Sequence, residues 1–267
     1  MEDLRVSIIQ SDLKWQDKIG NLEMFTQKIS TISQADLIVL PEMFTTGFTM
    51  NTASLAENLE GETVSWMRKM ASTKNAVISG SIIIEDGSKY YNRLIWMRPE
   101  GSYEYYDKRH LFRMAEEDAY FNSGINDLTV ELKGWKIRPL ICYDLRFPIW
   151  SRNRFTKEGD TLKADYDLLI YTANWPKVRI NAWDILLQAR AVENQAYCIG
   201  LNRIGMDGNQ KQYIGHSAIV DPKGEYLIEP HLNDETILQT ELSWKYLADY
   251  REKFPQGLDA DAFSLSK

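Results

Sequence analysis

Two mixed β-sheets covered by helices are the architecture this sequence predicts, an α/β chain of the α+β type. Three observations carry it. Short apolar runs alternate with amphipathic stretches along the chain. Hairpin signals such as Asp86-Gly87 recur too often for a purely parallel sheet. No GxGxxG or GxxxxGK(S/T) segment occurs, which weakens a doubly wound nucleotide-binding fold.

The elements follow in chain order. Leu4–Gln10 (LRVSIIQ) reads as a strand. Asp17–Ser33 carries Ile19, Leu22, Phe25, Ile29 and Ile32 at helical spacing. Asp36–Leu40 is short and apolar, a buried strand ending at Pro41. Glu62–Lys74 is a helix with Val64, Met67 and Met70 on one side. Ala76–Glu85 and Tyr90–Arg98 flank the Asp86-Gly87 turn, and Tyr103–Tyr106 adds a third strand after Glu100-Gly101. Arg138–Cys142 and Asp165–Tyr171 are further buried strands. Ile180–Gln195 is a long helix. Tyr197–Arg203, Gln212–Asp221, Gly224–Glu229 and Thr236–Leu242 read as strands, with a mobile turn at Gly205–Gln210. Trp244–Lys253 is the closing helix.

No repeat, low-complexity tract or Pro/Gly/Ser-rich linker interrupts the 267 residues, so one domain over 1–267 is expected. From about 255 the periodicity weakens, and a tail is expected, disordered or laid on a partner. Composition sets further bounds. With 31 Lys and Arg against 38 Asp and Glu, the net charge is −7, which argues against a nucleic-acid partner. No apolar run approaches the ~18–20 residues that span a membrane. MEDLRVSIIQ lacks the basic stretch and apolar run of a signal peptide, and two cysteines make no CxxC or disulfide framework. These features point to the cytoplasm.

Three residues stand at or just past predicted strand ends: Glu42 after LIVLP, Lys108 after YEYYD, and Cys142 after RPLI. Loops gather around ligands at such ends. The three form a chemically complete set. A thiol is mostly protonated at neutral pH, a carboxylate can take its proton, and an ammonium can stabilise an oxyanion. The residues alone leave alternatives open. Cys142 could be a small core hydrophobe, Lys108 part of a solvated turn in DKRH, and Glu42 a cap. Cys198, in the apolar YCIGLN, reads as a core thiol. His110 has no Cys- or Asp-type partner at a useful spacing, His216 reads as a hydrogen-bonded structural histidine, and His231 lies in a turn. With no HxxxH or HExxH, no metal is expected.

LPEMFTTGF (40–48), DKRHLF (107–112) and CYDLRFP (142–148) closely resemble the three signature segments of the nitrilase superfamily of carbon–nitrogen hydrolases. NWPKVRINAWDILLQARAVEN (174–194), LNRIG (201–205) and YIGHSAIVDPKG (213–224) continue the resemblance in the same order. DKRHLFRMAEE and TANWP are most similar to the bacterial omega-amidase branch. The resemblance implies a four-layer α-β-β-α sandwich and a catalytic triad of Glu42, Lys108 and Cys142. It implies no cofactor, and a small amide substrate such as 2-oxoglutaramate or 2-oxosuccinamate. It also implies a second glutamate in EEDAYFNSG. The pattern E-x-x-x-F-x-x-G, ending in Phe121 and Gly124, selects Glu117 over Glu116. The backbone N–H of Tyr143 is the expected second oxyanion donor. Arg190, Glu193 and Asn194 match a structural segment and carry no expected chemistry.

A free carboxylate on the substrate calls for an arginine. Arg113 is the first candidate, with a solvated loop residue as its plain alternative. Arg146 is the second, and its recurrence across the superfamily suggests a structural ion pair. Phe44, Met114 and Trp175 are candidates for the pocket wall, or for plain core packing. The resemblance also implies pairing through the helical segments after the cysteine and near the C-terminus. The helices around 145–155 and 180–195 are rich in Trp, Ile and Leu, so a homodimer or larger assembly is expected.

Overall fold

The structure is a computed structural model that describes residues 1–159 and 161–265. Six strands form the first sheet, in the order Thr236–Leu242, Leu4–Gln10, Leu37–Val39, Val77–Asp86, Lys89–Met97, Tyr103–Asp107. The second has seven. Ile204–Met206, Gln212–Val220, Tyr197–Asn202, Leu168–Ala173, Trp135–Ile141 and Val130–Leu132 lie side by side, and Tyr226–Leu232 also pairs with Gln212–Val220. Both sheets mix parallel and antiparallel pairs.

Side-chain alternation decides the layering. Leu37 and Val39 face the second sheet and join Ile137, Leu168 and Ile170 in a central core. Ile38, between them, faces outward and packs with Phe25, Val64 and Met67 of the helices Lys18–Ser30 and Glu62–Lys74. In the second sheet Leu169 and Cys198 turn away from the centre toward Trp183, Leu187 and Ala191 of the helix Ile180–Asn194. The central strands are apolar on both faces because helices cover the outside and another sheet covers the inside. This is the α-β-β-α sandwich.

Local chemistry sets the ends of the elements. Asp17, placed inside the first helix by its spacing, instead caps it by accepting from the Gly20 N–H. Asn75 and Gln195 end their helices in the left-handed conformation.

Several expectations are corrected. Residues 145–155 are not helical: a short 3-10 turn, Cys142–Arg146, gives way to turns and to a strand at Phe155. Pro148 explains the break, since it lacks an N–H and drives the preceding residue away from helical angles. His231 lies in the strand Tyr226–Leu232, not in a turn. The hairpin of Phe155–Glu158 and Thr161–Ala164 was not anticipated. The tail forms a short turn at Gln256–Asp259 and returns to its own chain, with Arg154 over the Phe263 ring. Its last two residues lie outside the described ones.

Candidate active site

Glu42, Lys108 and Cys142 converge from both sheets at the ends of their strands. Glu42 follows Leu37–Val39, and Lys108 follows Tyr103–Asp107, both in the first sheet. Cys142 follows Trp135–Ile141 in the second. Its φ of 44° is left-handed, a costly conformation for a residue with a Cβ, and such strain gathers at functional sites. The first N–H groups of the turn that begins at Cys142, that of Tyr143 among them, have no partner within the turn.

The carboxylate of Glu42 is fully buried and closely held. Lys108 Nζ lies 2.9 Å from Oε1, Asn92 Nδ2 donates to the same oxygen at 2.8 Å, and the Asn174 N–H donates to Oε2 at 2.8 Å. Lys108 Nζ also meets both oxygens of Glu117, at 2.9 and 3.0 Å. Glu117 in turn accepts from the Phe112 N–H at 2.6 Å. Glu116 occupies the left-handed turn that swings Glu117 inward, and is itself exposed. The loop closes on Lys108 through the Gly124 N–H, which donates to the Lys108 carbonyl. A Cβ on Gly124 would sit 2.1 Å from the Asp107 carbonyl oxygen, so the terminal glycine of the motif is a steric requirement.

One ammonium therefore faces two carboxylates in a buried cluster. Burial alone would push the Lys108 pKa down; Glu117 and Glu42 more than reverse this and hold the ammonium above its ordinary range. Burial raises Glu117. The Cys142 thiol is pushed well up, by burial first and then by the charge of Glu42, with Lys108 opposing. Ionising the thiol would add a further negative charge beside the carboxylates of Glu42 and Glu117.

Cys142 and Lys108 open into a cavity of about 150 Å³, whose walls include Phe48, Phe112, Tyr143, Trp175 and Tyr213. Trp175, a candidate for the pocket wall or for core packing, is among these lining residues. Three other candidates are not. Phe44 is fully buried beneath the helices, edge-on to Phe25. Met43, with φ of 45°, turns the chain after Glu42, and Gly80 leaves the space that the Phe44 ring fills. Arg113 is 87% exposed and pairs with Asp118 at 3.5 Å. Met114 is 73% exposed and touches Arg179 outside the cavity wall. Both sit on the outer side of the turn Arg113–Ala115.

Arg146 and Arg179 take their place. Arg146 lines the cavity with its guanidinium over the Trp175 ring, 4.9 Å from the centroid, and has no acidic partner in ion-pair range among the described residues. The structural ion pair expected of it is absent there. Arg179 lines the rim, over Phe112. Of the Gly205–Gln210 stretch, read only as a turn, Gly205 and Met206 belong to the strand Ile204–Met206, and the turn after it brings Asp207 and Asn209 to the same cavity. Asp207 fixes it by accepting from the Asn209 and Lys211 N–H groups and from the Tyr213 hydroxyl. Asn92 and Asn174 carried no local signal of their contact with Glu42. His110 also has the acidic partner that its sequence neighbours lack: Nδ1 lies 2.7 Å from Asp144. Cys198 is a core thiol as expected, and His216 is bonded to Asp184.

Among the described residues, no group of three or more metal-ligating side chains occurs, and no helix is long and apolar enough to cross a membrane. Residues 5–252 match the carbon-nitrogen hydrolase family. Omega-amidase YafV of Escherichia coli (strain K12) is 45% identical over 99% of this chain and 100% of its own. 2-Oxoglutaramate amidase of Bacillus subtilis (strain 168) is 34% identical over 94% and 95%. The solved structure of XC1258 from Xanthomonas campestris, a CN-hydrolase superfamily protein with an arsenic adduct in its active site, is 42% identical. It superposes over 100% of both chains with a TM-score of 0.95.

Proposed function

The chain belongs to the carbon-nitrogen hydrolase family, and within it we propose an omega-amidase. Its substrate is the monoamide of a small 2-oxo-dicarboxylic acid, 2-oxoglutaramate or 2-oxosuccinamate, and its products are the oxo-acid and ammonia. Relatives named for this activity support the reading over nearly their whole length. The observation that carries it is Arg146, a half-buried guanidinium in the cavity of Cys142 with no acidic partner among the described residues. Such a group favours a ligand carrying a free carboxylate, which its planar fork matches. Arg179 adds positive charge from the rim.

Cys142 is the nucleophile. Its Sγ attacks the amide carbon while Glu42 takes the thiol proton, and the carbonyl electron pair moves onto oxygen. Concerted transfer suits a cluster that already carries two carboxylates for one ammonium. Lys108 Nζ and the Tyr143 N–H stabilise the oxyanion. The carbonyl re-forms, the carbon–nitrogen bond breaks, and the nitrogen leaves as ammonia with the proton held by Glu42. Water then attacks the thioester on Cys142 and gives its proton to Glu42. Collapse of that intermediate releases the carboxylic acid and returns the proton to sulfur. Glu117 keeps Lys108 in place. The scheme needs no metal or organic cofactor.

The reading extends to a single domain acting in the cytoplasm as a homodimer or larger homo-oligomer. Two free, buried cysteines suit a reducing compartment. Ile185 and Val192, exposed seven residues apart on the helix Ile180–Asn194, offer apolar surface to a partner. A monomer mass by light scattering at micromolar concentration overturns the oligomer.

The experiment for the activity is ammonia release from 2-oxoglutaramate by the wild type and by Cys142→Ala. Release that disappears in the variant is expected. A folded wild type that releases none overturns the substrate.

A further inference from the structure

The site draws its residues from two sheets, so something must hold the two oxyanion donors in register. Lys108 sits on a loop of the first sheet, and Tyr143 on the turn that ends a strand of the second. Two residues beyond Lys108 is His110, and two beyond Cys142 is Asp144. Asp144 is fully buried and each of its oxygens accepts two hydrogen bonds. Oδ1 takes the His110 N–H at 3.1 Å and is 2.7 Å from His110 Nδ1. Oδ2 takes the Tyr106 hydroxyl at 2.8 Å and the Ile141 N–H at 3.1 Å.

This one carboxylate therefore ties the strand end at Tyr106 and the Lys108 loop to the strand end at Ile141 and the Cys142 turn. The His110 ring is clamped in turn. It stacks on Phe147 with centroids 3.8 Å apart and 7° between planes, and it stands edge-on to Trp150. Trp150 Nε1 donates to the Tyr106 hydroxyl at 3.0 Å, which closes the network. Since His110 Nδ1 faces a carboxylate, it carries the proton and donates.

We infer that His110 and Asp144 are positioning residues, whose hydrogen bond fixes Lys108 and the Tyr143 N–H relative to each other. The inference rests on the reaction proposed above for that site. Neither residue touches the reacting atoms. A fully hydrogen-bonded buried carboxylate defines a rigid geometry, and misplaced donors stabilise a transition state poorly.

Three variants at position 110 test it. Loss of a side chain that orients a reactive group costs about 10–100-fold, so His110→Ala is expected to lower kcat by that factor. KM should change less than about threefold, because substrate binding is left intact. His110→Asn places an amide N–H near the position of Nδ1, and is expected to restore most of kcat. His110→Gln reaches only toward the position of Nε2 and should remain as poor as alanine. This comparison stands even if His110→Ala fails to fold. An alanine variant with wild-type kcat, or equal activity in the Asn and Gln variants, overturns the inference. Each is measured on whichever amide the wild type hydrolyses. A failure on 2-oxoglutaramate therefore overturns the substrate alone and leaves this comparison intact.

Discussion

Glu117 grips Lys108 with both carboxylate oxygens, at 2.9 and 3.0 Å, whereas Glu42 offers it a single oxygen at 2.9 Å. The lysine is thus held by both oxygens of one glutamate and by a single oxygen of the other, whose second oxygen accepts the Asn174 N–H. Glu117→Gln should loosen the anchor while keeping the volume. By analogy with other orienting partners, kcat is expected to fall about 10–100-fold with little change in KM. Lys108→Met removes the proposed oxyanion donor outright and should cost about 10²–10³-fold in kcat. Steady-state ammonia release measures both; a Glu117→Gln enzyme with wild-type kcat would refute the anchoring role.

Arg146 and Arg113 should separate cleanly. A hydrogen-bonded charged contact contributes about 1.5–3 kcal/mol, so Arg146→Ala should reduce kcat/KM on 2-oxoglutaramate by about 10–150-fold. Arg113→Ala, altering an exposed side chain paired among the described residues with Asp118, should leave kcat/KM within about twofold, as exposed pairs contribute little. The opposite ranking would return the carboxylate to the Arg113 turn.

The raised pKa of Cys142 predicts its behaviour without substrate. Alkylation by iodoacetamide follows the thiolate fraction, and an unperturbed thiol ionises near about 8.5. The reaction should be slow at neutral pH and climb well beyond that value with no neutral plateau. A pH-independent rate between 6 and 8, followed by mass spectrometry of the Cys142 peptide, would mean a resting thiolate.

Buried tyrosines predict the alkaline limit of stability. Burial pushes Tyr197 up to about 12, and Tyr106 and Tyr166 well above their ordinary value. An acid whose folded pKa lies above its unfolded one contributes fully below the unfolded value and loses that contribution as pH rises toward the folded value. With unfolded tyrosine near about 10, the melting temperature should hold from pH 7 to about 9 and fall between about 10 and 12. Calorimetry across that range is the check, and a flat profile to pH 12 would contradict it.

How far the sequence could be read depended on whether the signal was local. The central strands were legible because apolar runs such as LIVL can only be buried. The three candidate reactive residues were legible because each sits in a segment that matches a known family. Side-chain direction was not. Phe44 lies two residues from Glu42, yet the left-handed Met43 between them turns it into the core. Arg113 lies four residues before Glu117, yet the turn that buries the glutamate leaves the arginine in solvent. Partners distant in sequence were silent as well. Asn174 reaches Glu42 across 132 positions and Asp144 reaches His110 across 34, so neither had a spacing to betray it.

The two-sheet origin of the cluster makes the site a gauge of how one layer lies on the other. Glu42 and Asn174 meet across that boundary at 2.8 Å. A slip of about 1 Å would carry the pair beyond hydrogen-bond range, while every ladder within each sheet stayed intact. Mild denaturant or pressure should then silence the enzyme before circular dichroism registers any loss of strand or helix. Turnover would report the fit between the layers, and spectroscopy only the layers themselves.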